Sequence, residues 1–257
     1  MRLFDSHNHL QDKRLFFELK TVMFRAEESG VERMAVKGCC EEDWKKVVEI
    51  VNSYPQTFFA FGLHPWFIHG RSTQWFQYLE ELLTSYPQAT VGEVGIDHAV
   101  ENRDELLQEE IFLQQLDLAC KLGRGVTIHC RKAWGRLIEL LDQFSTLPPL
   151  LIHCFGGSAE IASELLKRGA YLSFSGSITR PNSAKAKRAI LAVPDDRILI
   201  ETDAPDLLPH PLRNIPNEPA FLPFVLERAA QLRGCSKEVL AELTFQNATR
   251  FFEGRAS

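Results

Sequence analysis

The amino-acid sequence predicts an α/β protein, a (β/α)8 TIM barrel that forms a single domain over residues 1–257. Eight short apolar runs alternate with longer amphipathic segments, and this alternation indicates βαβ units and a parallel sheet. Eight such units in a chain of this length favour a closed barrel over an open doubly wound sheet. No GxGxxG sequence follows the first run, which further weakens a dinucleotide-binding interpretation.

The predicted elements follow in a regular order. The strands are RLFDS, ERMAVKG, TFFAFGLH, ATVGEVG, GVTIHC, PLLIHC, AYLSFSG and RILIETD. LFFELKTVMFRAEESG is predicted as one helix that ends at Gly30, and EEDWKKVVEIVNSYP as one that stops before Pro55. DELLQEEIFLQQLDLACKLG has helical spacing, begins with acids and ends on Gly123. Residues 206–219 predict a proline-rich loop, after which AFLPFVLERAAQLRG and SKEVLAELTFQNATRFF predict two closing helices.

Composition excludes several classes of protein. No run of about 18 apolar residues is present, so no membrane span is expected. The polar N-terminus does not resemble a signal peptide, and the six cysteines contain no CxxC pair, so we expect a cytoplasmic protein with reduced thiols. The net charge of −5 argues against a broad basic surface for long duplex DNA. A nucleic-acid partner would have to be held by positive charge at one local site.

Polar side chains end five of the eight predicted strands. They are His7 and His9 on the first, Glu93 on the fourth, His129 on the fifth, His153 on the sixth and Asp203 on the eighth. The carboxyl ends of barrel strands converge on one site, and imidazole and carboxylate groups are ligands of divalent metal ions. Each residue alone could be a packing, turn or ion-pair residue. Together they predict a metal centre.

The remaining histidines do not fit the ligand pattern. His64, in GLHPW at the end of the third strand, is predicted to contact substrate rather than metal. His69 and His210 lie in polar loops and are expected to be exposed. His98 stands too far beyond Glu93 to be a ligand.

Six motifs occur in an order that resembles a known family. FDSHNHL, GLHP, GEVGID, IHCRKA, IHCFGG and ETDAP, followed by NATRFF near the C-terminus, are similar to the TatD-like deoxyribonucleases of the amidohydrolase superfamily. The resemblance implies that His7 and His9 bind one metal ion, that Glu93 bridges two, that His129 and His153 bind the second, and that Asp203 holds the first ion and handles a proton. The catalytic residues would then be Glu93 and Asp203. The spelling SHNH and the histidine at position 98 depart from the common family pattern.

The resemblance implies a phosphodiesterase that hydrolyses DNA with two divalent ions, Mg²⁺, Zn²⁺ or Mn²⁺, and a metal-activated water. A 3'-5' exonuclease acting on single-stranded or frayed ends, as a monomer, is the expected form. The candidates for holding the substrate are His64 and four cations, Arg131, Lys132, Arg180 and Arg213. Arginine binds phosphate well, although each of these cations could equally be a solvated surface charge.

Two other functions remain open at this stage. The same metal site could hydrolyse a small ester, lactone or amide, although many such enzymes bridge their metals with a carboxylated lysine where this chain has Glu93. The chain could also be a non-catalytic barrel that only binds a partner. The complete set of ligand-type residues argues against that second alternative.

Overall fold

The computed structural model describes residues 1–181 and 184–254. Eight parallel strands form one sheet in sequential order, which confirms the predicted TIM barrel. They are β1 (Leu3–Asn8), β2 (Val31–Gly38), β3 (Thr57–Phe61), β4 (Thr90–Asp97), β5 (Val126–Arg131), β6 (Leu150–Ile152), β7 (Tyr171–Phe174) and β8 (Ile198–Ile200). The segment that follows β8 meets the end of β1 through two backbone hydrogen bonds. Asp203 N–H donates to the carbonyl of His7 at 3.0 Å, and His9 N–H donates to Ala204 at 2.7 Å.

Helices connect the strands on the outside of the sheet. They are α1 (Lys13–Phe16), α2 (Leu19–Glu28), α3 (Glu41–Ser53), α4 (Trp75–Ser85), α5 (Glu105–Leu122), α6 (Trp134–Leu141), α7 (Ala159–Lys167), α8 (Ala184–Ala192), α9 (Leu222–Arg233) and α10 (Lys237–Glu253). Short 3-10 turns cover Ile68–Gly70, Gly176–Thr179 and Pro219–Phe221. The two predicted closing helices correspond to α9 and α10, and the chain from 206 to 218 has neither helix nor strand.

The structure differs from the sequence expectation before Gly30. The predicted single helix is two helices, because α1 is a separate first turn that ends before Phe17. The Asp12 side chain caps this turn by accepting the Arg14 N–H. The Arg14 guanidinium also pairs with Asp206 at 2.8 Å, which orients the turn toward the loop after β8.

The interior of the barrel changes from apolar to polar along its strands. At the amino end, Phe4 stacks on Phe252 of α10 with ring centroids 5.3 Å apart, in a hydrophobic cluster that also contains Leu151 and Leu199. Side chains two positions further along a strand point the same way, so His153 follows Leu151 and Glu201 follows Leu199. The aromatic cluster therefore closes one end of the barrel, and the polar residues occupy the other.

None of the helices in the described part of the chain is long and apolar enough to cross a membrane.

Candidate metal centre

Glu93 lies at the centre of the polar end of the barrel. Its side chain is 3% exposed, and its two oxygens face different groups of histidines. Oε2 lies 3.1 Å from His7 Nε2 and 3.3 Å from His9 Nε2. Oε1 lies 2.8 Å from His153 Nε2 and 3.2 Å from His129 Nδ1. One carboxylate therefore joins two neighbouring clusters of nitrogen donors.

The first cluster comes from β1 and the turn after β8. His7 and His9 lie two positions apart, and their Nε2 atoms are 3.2 Å from each other, as the predicted strand geometry requires. Asp203 Oδ1 lies 3.7 Å from His7 Nε2 and 3.6 Å from His9 Nε2. His9 Nδ1 donates to the Lys37 carbonyl at 3.0 Å, which leaves the His9 Nε2 lone pair free to bind a metal ion.

The second cluster comes from β5 and the residue after β6. His129 Nδ1 and His153 Nε2 are 3.1 Å apart. His129 Nε2 donates to Asp97 Oδ2 at 3.0 Å, and His153 Nδ1 lies 3.4 Å from Glu201 Oε1. An acceptor behind a ligating imidazole fixes its tautomer and ring orientation, so the His129 ring is held with Nδ1 aimed at Glu93. His153 presents Nε2 to the same carboxylate.

His64 adjoins the second cluster but differs from it in tautomer. Its Nε2 lies 3.2 Å from Glu93 Oε1, close enough for His64, Glu93 and His129 to form a group that could hold a metal ion. However, His64 Nδ1 accepts the Trp66 backbone N–H at 3.1 Å, so the neutral ring carries its proton on Nε2 and donates it to Glu93. Burial lowers the pKa of His64 to about 4 and keeps this neutral form at physiological pH. A substrate-facing role remains a prediction for His64.

Electrostatics favour a charged Glu93. Burial alone raises the pKa of this carboxyl, but the neighbouring His153, His64 and His7 outweigh burial and hold the pKa well below its usual range. Burial and the nearby His153 lower the pKa of His7. A buried carboxylate surrounded by imidazoles is the environment that a divalent cation stabilises, because the ion supplies the missing positive charge.

The donor set fits divalent ions. Two ligands bound to one tetrahedral ion at 2.0–2.1 Å lie about 3.3 Å apart, and the nitrogen-to-oxygen distances around Glu93 are 2.8 to 3.3 Å. Within the described residues, His7, His9 and Glu93 form one group that could hold an ion, and His7, His153 and Asp203 form another. Imidazole and carboxylate donors suit zinc and manganese, and carboxylates also suit magnesium.

The four predicted phosphate-binding cations lie on the protein surface. Arg131, Lys132, Arg180 and Arg213 are all exposed. Arg131 ends β5, two residues after His129, and is therefore placed at the metal end of the barrel. Their contact with substrate remains a prediction. His69 and His210 are exposed, as expected, and His98 is half-buried.

Sequence reasoning missed Asp97, Glu201, Cys39 and Trp66, which contact the predicted site residues. Strand alternation could have indicated the two acids, because every second residue of a strand points to the same side. Asp97 lies four residues after Glu93, and Glu201 lies two residues before Asp203. Strand β4 extends to Asp97, further than the predicted GEVG end, and a register irregularity lies between Val91 and Val94. The Cys39 thiol lies 3.6 Å from Glu93 Oε2, a contact that no local pattern marked.

Comparisons with known proteins agree with this geometry. The family model described as TatD related DNase matches residues 4–253. The chain is 34% identical over 251 residues to an uncharacterized metal-dependent hydrolase, YabD, of Bacillus subtilis, covering 97% of this chain and 98% of that protein. It is 34% identical over 264 residues to the 3'-5' ssDNA/RNA exonuclease TatD of Cronobacter sakazakii, covering 99% of both.

A solved structure has the same fold. The crystal structure of YJJV, a TatD homologue from Escherichia coli, superposes with a TM-score of 0.94 at 26% sequence identity, covering 98% of each chain. With a family match over nearly the whole length and a barrel that gathers the imidazole and carboxylate donors at one end, the chain belongs to the TatD-related DNase family and is a metal-dependent hydrolase.

Proposed function

We propose that this protein hydrolyses phosphodiester bonds of DNA as a 3'-5' exonuclease on single-stranded or frayed ends. The observation that carries the proposal is the placement of the two Glu93 carboxylate oxygens. One oxygen faces His7 and His9, and the other faces His129 and His153. This arrangement suits two adjacent divalent ions bridged by one carboxylate. Relatives named 3'-5' ssDNA/RNA exonucleases support the substrate class and the polarity.

When bound, a pair of divalent ions lowers the pKa of water and stabilises charge on the attacking and leaving oxygens of a phosphodiester. In this proposal His7, His9 and Asp203 would hold one ion, His129 and His153 would hold the other, and the Glu93 carboxylate would serve both. The ions also supply the positive charge that an acidic protein needs to bind a phosphate.

The chain's own residues position the reaction. The Asp203 side chain is 14% exposed, so its carboxylate faces both the first cluster and solvent. In the proposal it accepts the proton of the attacking water. His64 donates its Nε2 proton to Glu93 Oε1, and this contact keeps the Glu93 carboxylate in position. Arg131 and Lys132, exposed beside the second cluster, bind the phosphates next to the reacting one.

The test is metal-dependent cleavage of labelled oligonucleotides. The protein is stripped with a chelator and reloaded with Mg²⁺, Mn²⁺ or Zn²⁺. Single-stranded DNA, blunt duplex DNA and RNA are then compared with a small phosphodiester, a lactone and an amide. We expect stepwise shortening from the 3' end, faster on single strands than on blunt duplex. His210→Ala provides a control variant, because His210 is an exposed histidine in a loop of the same chain.

Two results would contradict the proposal. Turnover of a lactone, an amide or a small ester with intact oligonucleotides would assign the metal centre to another hydrolase reaction. Cleavage within a circular single strand would show an endonuclease and remove the requirement for a strand end.

A further inference from the structure

Two aromatic side chains are exposed beside the metal centre. Trp66 is 54% exposed and Phe67 is 41% exposed, and both follow His64 within three residues. The Trp66 ring centroid lies 6.0 Å from that of His129 and 4.9 Å from that of His64. The indole therefore adjoins the second histidine cluster while more than half of the residue remains exposed to solvent.

The orientation of Trp66 is fixed by hydrogen bonds at two points. Its indole Nε1–H donates to Asp97 Oδ2 at 2.8 Å, and its backbone N–H donates to His64 Nδ1 at 3.1 Å. The polar edge of the ring is thus satisfied inside the protein, while more than half of the residue faces solvent. A ring held in this way loses little conformational freedom when a flat ligand covers it.

We infer that Trp66, with Phe67 beside it, is the surface on which an unpaired nucleobase stacks while its neighbouring phosphate lies at the metal centre. The inference rests on the proposed nuclease function and specifies how that site selects its substrate. Every nucleobase has a flat face, so stacking on an aromatic ring tolerates any sequence. Bases inside a duplex already stack on each other, and only an unpaired base is free to cover the indole.

The overall charge makes such a contact useful. The protein carries a net charge of −5, so long-range attraction of phosphates contributes little to binding. Stacking on one aromatic residue strengthens the binding of a base by about 5- to 150-fold. A single strand can therefore be held by the metal centre and one stacked base, without a long basic surface.

A purely structural role for Trp66 makes a different prediction. If the indole acted only by orienting Asp97, the loss of its N–H would slow all substrates equally. Trp66→Phe removes the N–H and keeps an aromatic ring, whereas Trp66→Ala removes both. The two variants therefore separate stacking from the hydrogen bond to Asp97. Phe24→Ala is the matched control, because Phe24 is 62% exposed on helix α2.

The experiment uses the metal-loaded enzyme and two single-stranded oligonucleotides. One carries normal bases throughout, and the other carries abasic tetrahydrofuran units at its last two 3' positions. The measured quantity is the ratio of kcat/KM on the normal strand to kcat/KM on the abasic strand. We expect a ratio of about 5 to 150 for the unaltered protein, for Phe24→Ala and, somewhat reduced, for Trp66→Phe. In Trp66→Ala the ratio should fall close to one. Loss of the hydrogen bond to Asp97 changes kcat/KM on both strands by the same factor and so does not affect the ratio.

Binding provides a second readout that does not depend on turnover. Fluorescence anisotropy of the same two strands is measured in an Asp203→Asn background, with Trp66 intact or replaced by Ala. The Kd for the normal strand should rise by about 5- to 150-fold on replacement, and the Kd for the abasic strand should stay constant.

Different results would overturn the stacking inference and the nuclease proposal. If the base-to-abasic ratio is the same in the unaltered protein and in Trp66→Ala, the stacking inference is overturned and the nuclease function stands. The same conclusion follows if Trp66→Phe and Trp66→Ala lower kcat/KM equally on both strands. An enzyme that cleaves neither strand with any metal overturns the nuclease proposal. The anisotropy ratios then decide the stacking inference on their own, and equal affinities for both strands overturn it.

Discussion

His129 and Asp97 are joined by a hydrogen bond of 3.0 Å from Nε2 to Oδ2, which turns the opposite nitrogen of the ring toward Glu93 at 3.2 Å. Asp97 is held in turn by the Trp66 indole N–H and the Ala99 backbone N–H. Burial raises the pKa of Asp97, but these hydrogen bonds outweigh burial and lower the pKa to about 2. The aspartate is therefore charged at any physiological pH and fixes the histidine as a donor at Nε2.

Asp97→Asn should weaken metal binding at the second cluster by about 10- to 100-fold, the usual effect of removing an acceptor behind a ligating histidine. The amide keeps the shape but loses the charge, and its NH2 group must face an N–H donor on one side. Metal affinity is measured by competition with a chromophoric chelator. Asp142→Asn, which alters a surface ion pair with Arg168, is the control. An unchanged affinity in Asp97→Asn would contradict the proposed support of His129.

His153→Ala should remove one bound metal ion and leave the barrel folded. His153 follows the end of β6, above the apolar cluster that closes the barrel, and its Nε2 faces Glu93. Metal content is counted by elemental analysis, and folding is checked by circular dichroism. His210→Ala should retain the full metal content because that residue is exposed. Retention of two ions in His153→Ala would show that it is not a ligand.

Metal binding should release protons and weaken as the pH falls. Burial lowers the pKa of His153, but Glu93 and Glu201 outweigh burial and raise the pKa well above its usual value. The metal-free ring is therefore protonated at neutral pH, and it must lose that proton to bind an ion. Calorimetry in two buffers of different ionisation enthalpy should show net proton release near pH 7. Identical enthalpies in both buffers would contradict this account.

Asp203→Asn should reduce kcat by about 100-fold or more and change KM little, since general-base groups contribute roughly this much. The substitution removes both a ligand charge and the proposed proton acceptor, while the exposed cations and Trp66 that are proposed to bind the strand are unchanged. Steady-state kinetics on a single-stranded oligonucleotide separate the two parameters. Normal kcat with a raised KM would assign Asp203 to substrate binding alone.

Lys37→Met should stabilise the metal-free protein by at least about 1 kcal/mol, because a buried amine without a hydrogen-bond partner is costly. Lys37 is fully buried, and within the described residues its Nζ has no hydrogen-bond partner, although it lies 4.3 Å from the Phe252 ring centroid. Burial lowers the pKa of Lys37 to about 7, against the opposing effect of nearby acids.

The pH dependence of this stabilisation has a definite sign. The unfolded lysine keeps its usual pKa of 10.5, so between pH 7 and 10.5 the unfolded state binds more protons than the folded state. The destabilisation by Lys37 is therefore complete below pH 7 and fades as the pH rises toward 10.5. Urea unfolding of both proteins at pH 7 and pH 10 checks the difference. A Met variant that is less stable at pH 7 would show that the amine has a stabilising partner.

The sequence predicted the barrel because its strongest signals are local. Apolar runs, acids at helix starts and Gly123 after α5 each report on a few neighbouring residues, and the structure contains the corresponding elements. The break between α1 and α2 was missed because neither Phe17 nor Glu18 is a glycine or proline that would mark it, and the Arg14–Asp206 pair on α1 joins residues 192 positions apart.

The candidate site shows the same division. Six residues could be placed at the carboxyl ends of the strands from the sequence, since parallel strands in a barrel share one direction: His7, His9, Glu93, His129, His153 and Asp203. The folded structure was needed to show which nitrogen of each ring faces Glu93, that His64 donates to Glu93, and that Trp66 reaches Asp97. These relationships depend on distances between side chains on different strands. Strand period and spacing along the chain carry no information about them, because packing across the barrel sets those distances.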